Sequence, residues 1–373
     1  MFITFSTQPR PTVTAMPAPD STPSKSSRRA GLTVAGKYNY RHCSIRVTPP
    51  RPFAPGVHPG RAAAILVSAQ KWVNGTEITY AFFKGPEPQK AAMRTAFNTW
   101  KGVGIGIRFR EVLHTIDSMM RIAFADDGSW SYIGREILTI PKAEATLNIG
   151  WDITSDLDTG VHEIGHTLGL PHEHQNPNAG IVWNETAVYN SLAQPPNSWD
   201  HDKTFHNIIE KINPDSVQGS KWDPNSIMHY PFEPGLILKP KKYRNGLTPA
   251  GGLSVRDKKW IKTFYPALND DRHPALIPMQ STTLTVPNGH QANYRIEPES
   301  SGTYEVRTFG PIDSVMVLFQ RDGTKLTKIA ADDDSGDDKN ASIKVQLVKG
   351  TKYILRVRVM YTEPDQKASI MLW

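Results

Sequence analysis

The chain has 373 residues, 38% hydrophobic and 21% charged, a soluble globular composition, and no run approaches the roughly 18 apolar residues of a membrane span. Its net charge is +7, but residues 1 to 61 hold nine Lys or Arg against one acid, Asp20, which leaves the remainder nearly neutral and argues against a nucleic-acid reader. A single cysteine, Cys43, excludes an intrachain disulfide.

Residues 1–61, rich in Pro, Ser, Thr and Arg, cannot bury enough apolar surface to offset ordering entropy and read as a disordered basic arm or pro-segment. They show no basic region followed by an apolar stretch, so no export signal is visible. From Ala62 the pattern becomes regular. An Asn-Gly turn and an alternating run occupy Trp72 to Phe83; a helix follows with Met93, Phe97 and Trp100 at i, i+4, i+7; Ile105–Val112 and Ser118–Asp126 then alternate as strands. This order predicts a mixed sheet covered by a helix, an α+β arrangement. Gly128–Gly134 reads as a turn and strand, Ala145–Ile153 leads into a histidine-rich helix, and Phe205–Ile212 forms a helical pattern with Phe205, Ile208, Ile209 and Ile212 on one face. Ser254 caps a closing helix that Pro266 stops. After a linker at 269–279, residues 280–373 alternate through seven short strands with turn signals, which predicts a β-sandwich.

Between them, at 161–174, lies VHEIGHTLGLPHEH. On a helix His162 and His166 stand one turn apart on one face, with Val161, Ile164 and Leu168 opposite, and two neutral imidazoles at that spacing reach one zinc ion at roughly 2.0–2.1 Å. Gly169 is placed to end the helix and turn the chain, which makes His172 the third ligand. Glu163, about 100° around the helix from His162, is a general base for the water that the metal activates. Residues 226–230, SIMHY, supply a methionine turn as a floor for the site.

This HExxHxxGxxH pattern with a downstream methionine turn resembles the metzincin zincins. Gly128–Gly134 (GSWSYIG), HEIGHTLGLPHEH and SIMHY are similar to the astacin branch. The resemblance spans residues 62–268 as a catalytic domain. It implies a zinc metalloendopeptidase acting on protein or peptide substrates, with His162, His166 and His172 as ligands, Glu163 as base and Met228 as the turn methionine. Tyr230 is implied to bind zinc at rest and then to stabilise the oxyanion. Ser129 replaces a family cysteine, and HQNPN from His174 departs from the family pattern after Glu173. The C-terminal strands resemble bacterial pre-peptidase C-terminal modules. A secreted monomer is the setting that the resemblance favours.

Two features stay outside that reading. Cys43 invites a thiolate that fills the fourth zinc position until the arm is cleaved, but one cysteine without a matching motif reads as incidental. The five aspartates of Ala331–Asn340 offer oxygen ligands for Ca²⁺, with a solvated hairpin tip as the simpler reading. His174 and His229 read as ordinary packing groups. The rivals are a binding or adhesion protein with a vestigial site, against which the intact Glu163 argues, and a matrixin-like enzyme without a tyrosine ligand.

Overall fold

The computed structural model describes residues 40–48, 70–212, 221–268, 273–287, 289–323, 325–362 and 367–373. Six short strands form the first sheet: β1 (Ser44–Ile45), β2 (Glu77–Phe82), β3 (Arg108–Glu111), β4 (Met120–Ala123), β5 (Trp130–Ser131) and β6 (Leu147–Asn148), in the order β1-β5-β6-β4-β2-β3. Pairing is parallel from β3 through β2 and β4 to β6, antiparallel between β6 and β5, and parallel again between β5 and β1. Within the arm, Tyr40–Thr48 is therefore an ordered extended segment rather than disordered chain, because β5 offers it a free edge to pair with. The rest of the arm lies outside the described residues.

The predicted helix is α1 (Glu87–Gly102), entered through Pro86 and Pro88, with Glu87 in its first turn and Lys101 in its last. Its buried stripe, Ala92, Met93, Ala96, Phe97 and Trp100, lies on the sheet, where Phe97 stacks on Tyr80 at 4.0 Å between ring centroids. Each such large apolar side chain contributes about 1.5–3 kcal/mol by leaving water. Trp100 then fixes the next helix, α2 (Asp158–Thr167): its indole N–H donates to the Val161 carbonyl at 2.9 Å.

A second, smaller core holds β7 (Val182–Trp183), α3 (Glu185–Leu192) and β8 (Ile237–Lys239) around Ile181, Trp199 and Phe232. The predicted Phe205–Ile212 helix is instead α4 (His201–Thr204) running into a single π turn, Phe205–Ile209, closed by Glu210 N–H on the Phe205 carbonyl at 2.9 Å. The wider turn takes Phe205 out of register with Ile208: Phe205 is exposed and Asn207 turns inward, which a 3.6-residue period does not anticipate. Helix α5 (Val255–Phe264) starts at Ser254 as predicted, with a full capping box to Asp257.

The C-terminal part is all β. Its strands are β9 (Thr282–Leu284), β10 (Gln291–Ile296), β11 (Gly302–Phe309), β12 (Ile312–Asp322), β13 (Lys325–Asp332), β14 (Ser342–Leu347), β15 (Lys352–Thr362) and β16 (Ala368–Leu372). They make two antiparallel four-stranded sheets, β10-β15-β12-β13 and β14-β11-β16-β9. The eighth strand, β13, escapes the sequence pattern because it is a largely exposed edge strand with few apolar positions. The aspartate loop joins β13 of one sheet to β14 of the other, so it is a crossing between sheets and not a hairpin tip. Asp332 there accepts the Ser335 and Ser342 backbone N–H groups, and among the described residues no metal-ligand cluster forms in this loop. Leu276 and Met279, read as linker, are hydrogen-bonded into the sandwich through Arg295 and Leu372.

The sandwich packs on the strand-entry loop of the first sheet. Val73 joins Val315, Val317, Phe319 and Met360 in one apolar cluster, the Arg356 guanidinium donates to the Asn74 carbonyl, and Arg358 stands over the Tyr265 ring at 5.9 Å. Tyr265 in turn donates its hydroxyl to Leu168, at the end of α2.

Candidate metal centre

Helix α2 ends in a Schellman turn: Gly169, at φ +87°, donates its N–H to His166, and Leu170 donates to Gly165. The left-handed conformation at Gly169 is what a side chain would oppose, and it brings His172 back beneath His162 and His166. Gly165 is required for another reason. A Cβ there would lie 2.5 Å from Met228 Sδ, so the methionine turn seats directly under the helix.

Each histidine is oriented through Nδ1. His162 donates to the Ile227 carbonyl at 2.7 Å, His166 to the Leu170 carbonyl at 2.8 Å, and His172 to Gln175 Oε1 at 3.3 Å. Gln175 can only accept with that oxygen, because its Nε2 donates to the His206 and Glu210 carbonyls. With protons fixed on Nδ1, the three Nε2 atoms present lone pairs to one another at 3.1 Å from His162 to His166 and 3.1 Å from His166 to His172.

Cys43 completes the group. Its sulfur lies 3.1, 3.7 and 3.5 Å from the Nε2 atoms of His162, His166 and His172, and all four residues are buried. Tetrahedral zinc, at roughly 2.0–2.1 Å from nitrogen and 2.3 Å from sulfur, sets its ligand atoms about 3.3–3.6 Å apart, so the donor set fits the ion. Three converging lone pairs and a sulfur are mutually repulsive without a cation between them. Cys43 is therefore not incidental, and the signal for it lies in space rather than in sequence.

Burial controls the protonation of these groups. It pushes His162 down to about 4 and His166 and His172 well below the usual imidazole range, which keeps them neutral as ligands must be. Burial, then the Glu163 carboxylate, raises the Cys43 thiol; burial, then Cys43, raises the Tyr230 phenol. Glu163 is fully buried, neither of its oxygens has a hydrogen-bond partner by distance and angle, and burial holds its carboxyl well above the usual range. Tyr230 donates to the Cys43 carbonyl at 2.6 Å and its oxygen is 2.5 Å from His172 Nε2, so it reaches the ligand shell.

All six residues singled out from sequence thus meet at one place. His174 and His229, set aside as packing groups, are buried next to it, and the His174 ring stacks on His172 at 5.2 Å. Sequence reasoning missed Gln175, Asn197, Asn207 and Asp257, which act through hydrogen bonds to backbone or ligands and carry no spacing signal. Ser129, in place of a family cysteine, is buried and accepts the Gly150 N–H at 3.0 Å.

The arm enters the site between two walls. On one side Ser44 and Arg46 donate to the Ser129 and Ser131 carbonyls of the β5 edge, both at 3.0 Å; the edge used is thus 129–131, slightly before the predicted 131–134. On the other, Asn197 Oδ1 accepts His42 N–H at 2.9 Å, Asn197 Nδ2 donates to the Tyr40 carbonyl at 2.9 Å, and Asn207 Oδ1 accepts Ile45 N–H at 2.8 Å.

A twisted mixed sheet, a helix bearing two histidines, a glycine-turned third histidine and a methionine turn beneath them define a zincin of the metzincin class. The family model for the Astacin peptidases matches residues 65–236, and through them the chain belongs to the astacin family. It is 28% identical over 149 residues to human Tolloid-like protein 1, covering 38% of this chain and 13% of that one. It is 25% identical over 218 residues to the Astacin-like metalloprotease toxin 1 of Loxosceles intermedia, covering 54% and 74% respectively. A solved structure of myroilysin is 32% identical, covers 54% of this chain and 97% of its own, and superposes with a TM-score of 0.49. The chain thus spans only a small part of the tolloid-like relatives it matches.

Proposed function

We propose that the protein is a zinc metalloendopeptidase whose N-terminal arm holds it latent. The observation that carries this reading is the convergence of three Nε2 lone pairs beside an unpartnered, buried Glu163, with an extended peptide already lying across the site. When bound, zinc supplies Lewis acidity, polarising the scissile carbonyl and activating a water for attack.

The chain's residues do the rest. Glu163 takes the proton from the attacking water and gives it to the departing amine nitrogen, so its two free oxygens must face the cleft without competing donors. Tyr230, once the Cys43 carbonyl leaves, has a hydroxyl free to donate to the oxygen that gains charge. The β5 edge pairs with the substrate backbone as it now does with β1. Cys43 occupies the position that a substrate carbonyl and water would need, so the arm is a pro-segment that must leave before turnover.

The Tyr230 contact with His172 favours an enzyme with a tyrosine at the metal over one without. The test is chelator-sensitive cleavage of a denatured protein by arm-cleaved, zinc-loaded protein, with Glu163→Gln as control. A variant that kept full activity would refute the assignment of the base.

A further inference from the structure

His42 and Cys43 are neighbours in the arm, and while Cys43 reaches the metal position, the His42 ring enters a pocket beside it. The ring meets Tyr230 edge-on at 4.8 Å, stacks on Phe232 at 5.9 Å and meets Trp199 edge-on at 6.2 Å between centroids. At its end, Nε2 lies 3.0 Å from the Pro231 carbonyl, which can only accept, so Nε2 donates. A cavity of about 230 Å³ bounded by His42, Asn197 and Trp199 adjoins the ring, which leaves room for a ring system larger than imidazole.

The backbone that carries His42 is bracketed by Asn197, which accepts from residue 42 and donates to residue 40, much as a neighbouring strand would. Any peptide that brings a carbonyl to the metal must run between this amide and the β5 edge, because these are the walls of the cleft. The side chain next to its scissile bond then falls where the His42 ring lies. Three aromatic faces and one carbonyl acceptor suit a flat ring carrying an N–H or O–H. A carboxylate would meet the carbonyl dipole and gain no donor from this set.

We propose that the pocket of Trp199, Tyr230, Pro231 and Phe232 is the specificity subsite beside the scissile bond, selecting substrates with His, Tyr or Trp on one flank, and that Asn197 clamps the substrate backbone. This deepens the peptidase reading and rests on it.

The experiment uses the zinc-loaded full chain, cleaved in its arm by limited trypsin that is then inhibited, with chelator-treated protein as blank. Quenched peptides differing only at the residues flanking one scissile bond carry His, Tyr, Trp, Phe, Leu, Asp or Lys there. The donor-bearing rings should exceed Leu and Asp by roughly tenfold in kcat/KM on one flank, with Phe between them. Trp199→Ala should flatten that ratio and Trp199→Phe should keep much of it; should Trp199→Ala not fold, the wild-type series decides alone. Asn197→Ala should raise KM for every peptide alike. Chelator-sensitive cleavage with flat or acid-preferring rates on both flanks overturns the subsite while sparing the peptidase. Absence of any chelator-sensitive cleavage overturns both.

Discussion

Asp257 accepts the Ile227 N–H at 2.8 Å, and the Ile227 carbonyl on the far side of that residue accepts the His162 Nδ1–H at 2.7 Å. The same carboxylate accepts the Ser226 hydroxyl at 2.6 Å and closes the capping box of α5, and Met228 O accepts the Glu173 N–H next to His172. One buried acid at a helix start therefore fixes the methionine turn, and the turn fixes two ligands.

Removing that acid should loosen the centre without touching it. Asp257→Ala is expected to weaken zinc binding by about 10–100-fold, the usual effect of losing a group that orients a ligand. Competition with a chromophoric chelator measures it; an affinity equal to wild type would mean that the turn holds its shape without Asp257.

Cys43 gives a spectroscopic prediction. In the cobalt-substituted full chain a Cys43 thiolate on the metal should produce an intense near-ultraviolet sulfur-to-metal band, and Cys43→Ser should lack it. The variant should also show higher chelator-sensitive activity before any cleavage of the arm. A band that survives the substitution cannot come from this sulfur, since it is the chain's one cysteine.

Glu163→Gln is predicted to keep zinc and lose turnover by roughly 10²–10⁴-fold, the share usually carried by general acid–base catalysis. The amide is isosteric in a fully buried site, so the thermal midpoint should stay at or above that of wild type. Metal content by emission spectrometry, set against the rate, separates a lost base from a lost ion.

The parts legible in sequence are those that act through helical spacing. His162, Glu163 and His166 follow from 3.6-residue geometry, His172 from the freedom of Gly169, and α5 from Ser254 and Asp257. Hidden from it were contacts between distant segments. Cys43 reaches His162 across 119 positions and Asn197 reaches His42 across 155, and no local pattern records such meetings. The π turn at Phe205 and the polar edge strand β13 failed for a third reason: each departs from the periodicity by which helices and strands are recognised.

Lys71 offers a test of how the sandwich bears on the first domain. Its ammonium lies 4.0 Å from the centre of the Phe264 ring, and burial, with the Arg358 charge second, pushes its pKa from 10.5 down to about 7. Below pH 7 both folded and unfolded chains carry the proton, and the folded state bears the whole cost of the buried charge. Between about pH 7 and 10.5 the unfolded chain binds a proton that the folded chain does not, so this group's contribution to stability improves as pH rises. Lys71→Met should therefore raise the thermal midpoint most at pH 6, and its advantage should shrink by pH 9 by a free energy of order 2 kcal/mol. Calorimetry of zinc-loaded wild type and variant at the two pH values measures the difference of differences. An advantage equal at both would show that Lys71 keeps its proton in the folded state throughout that range.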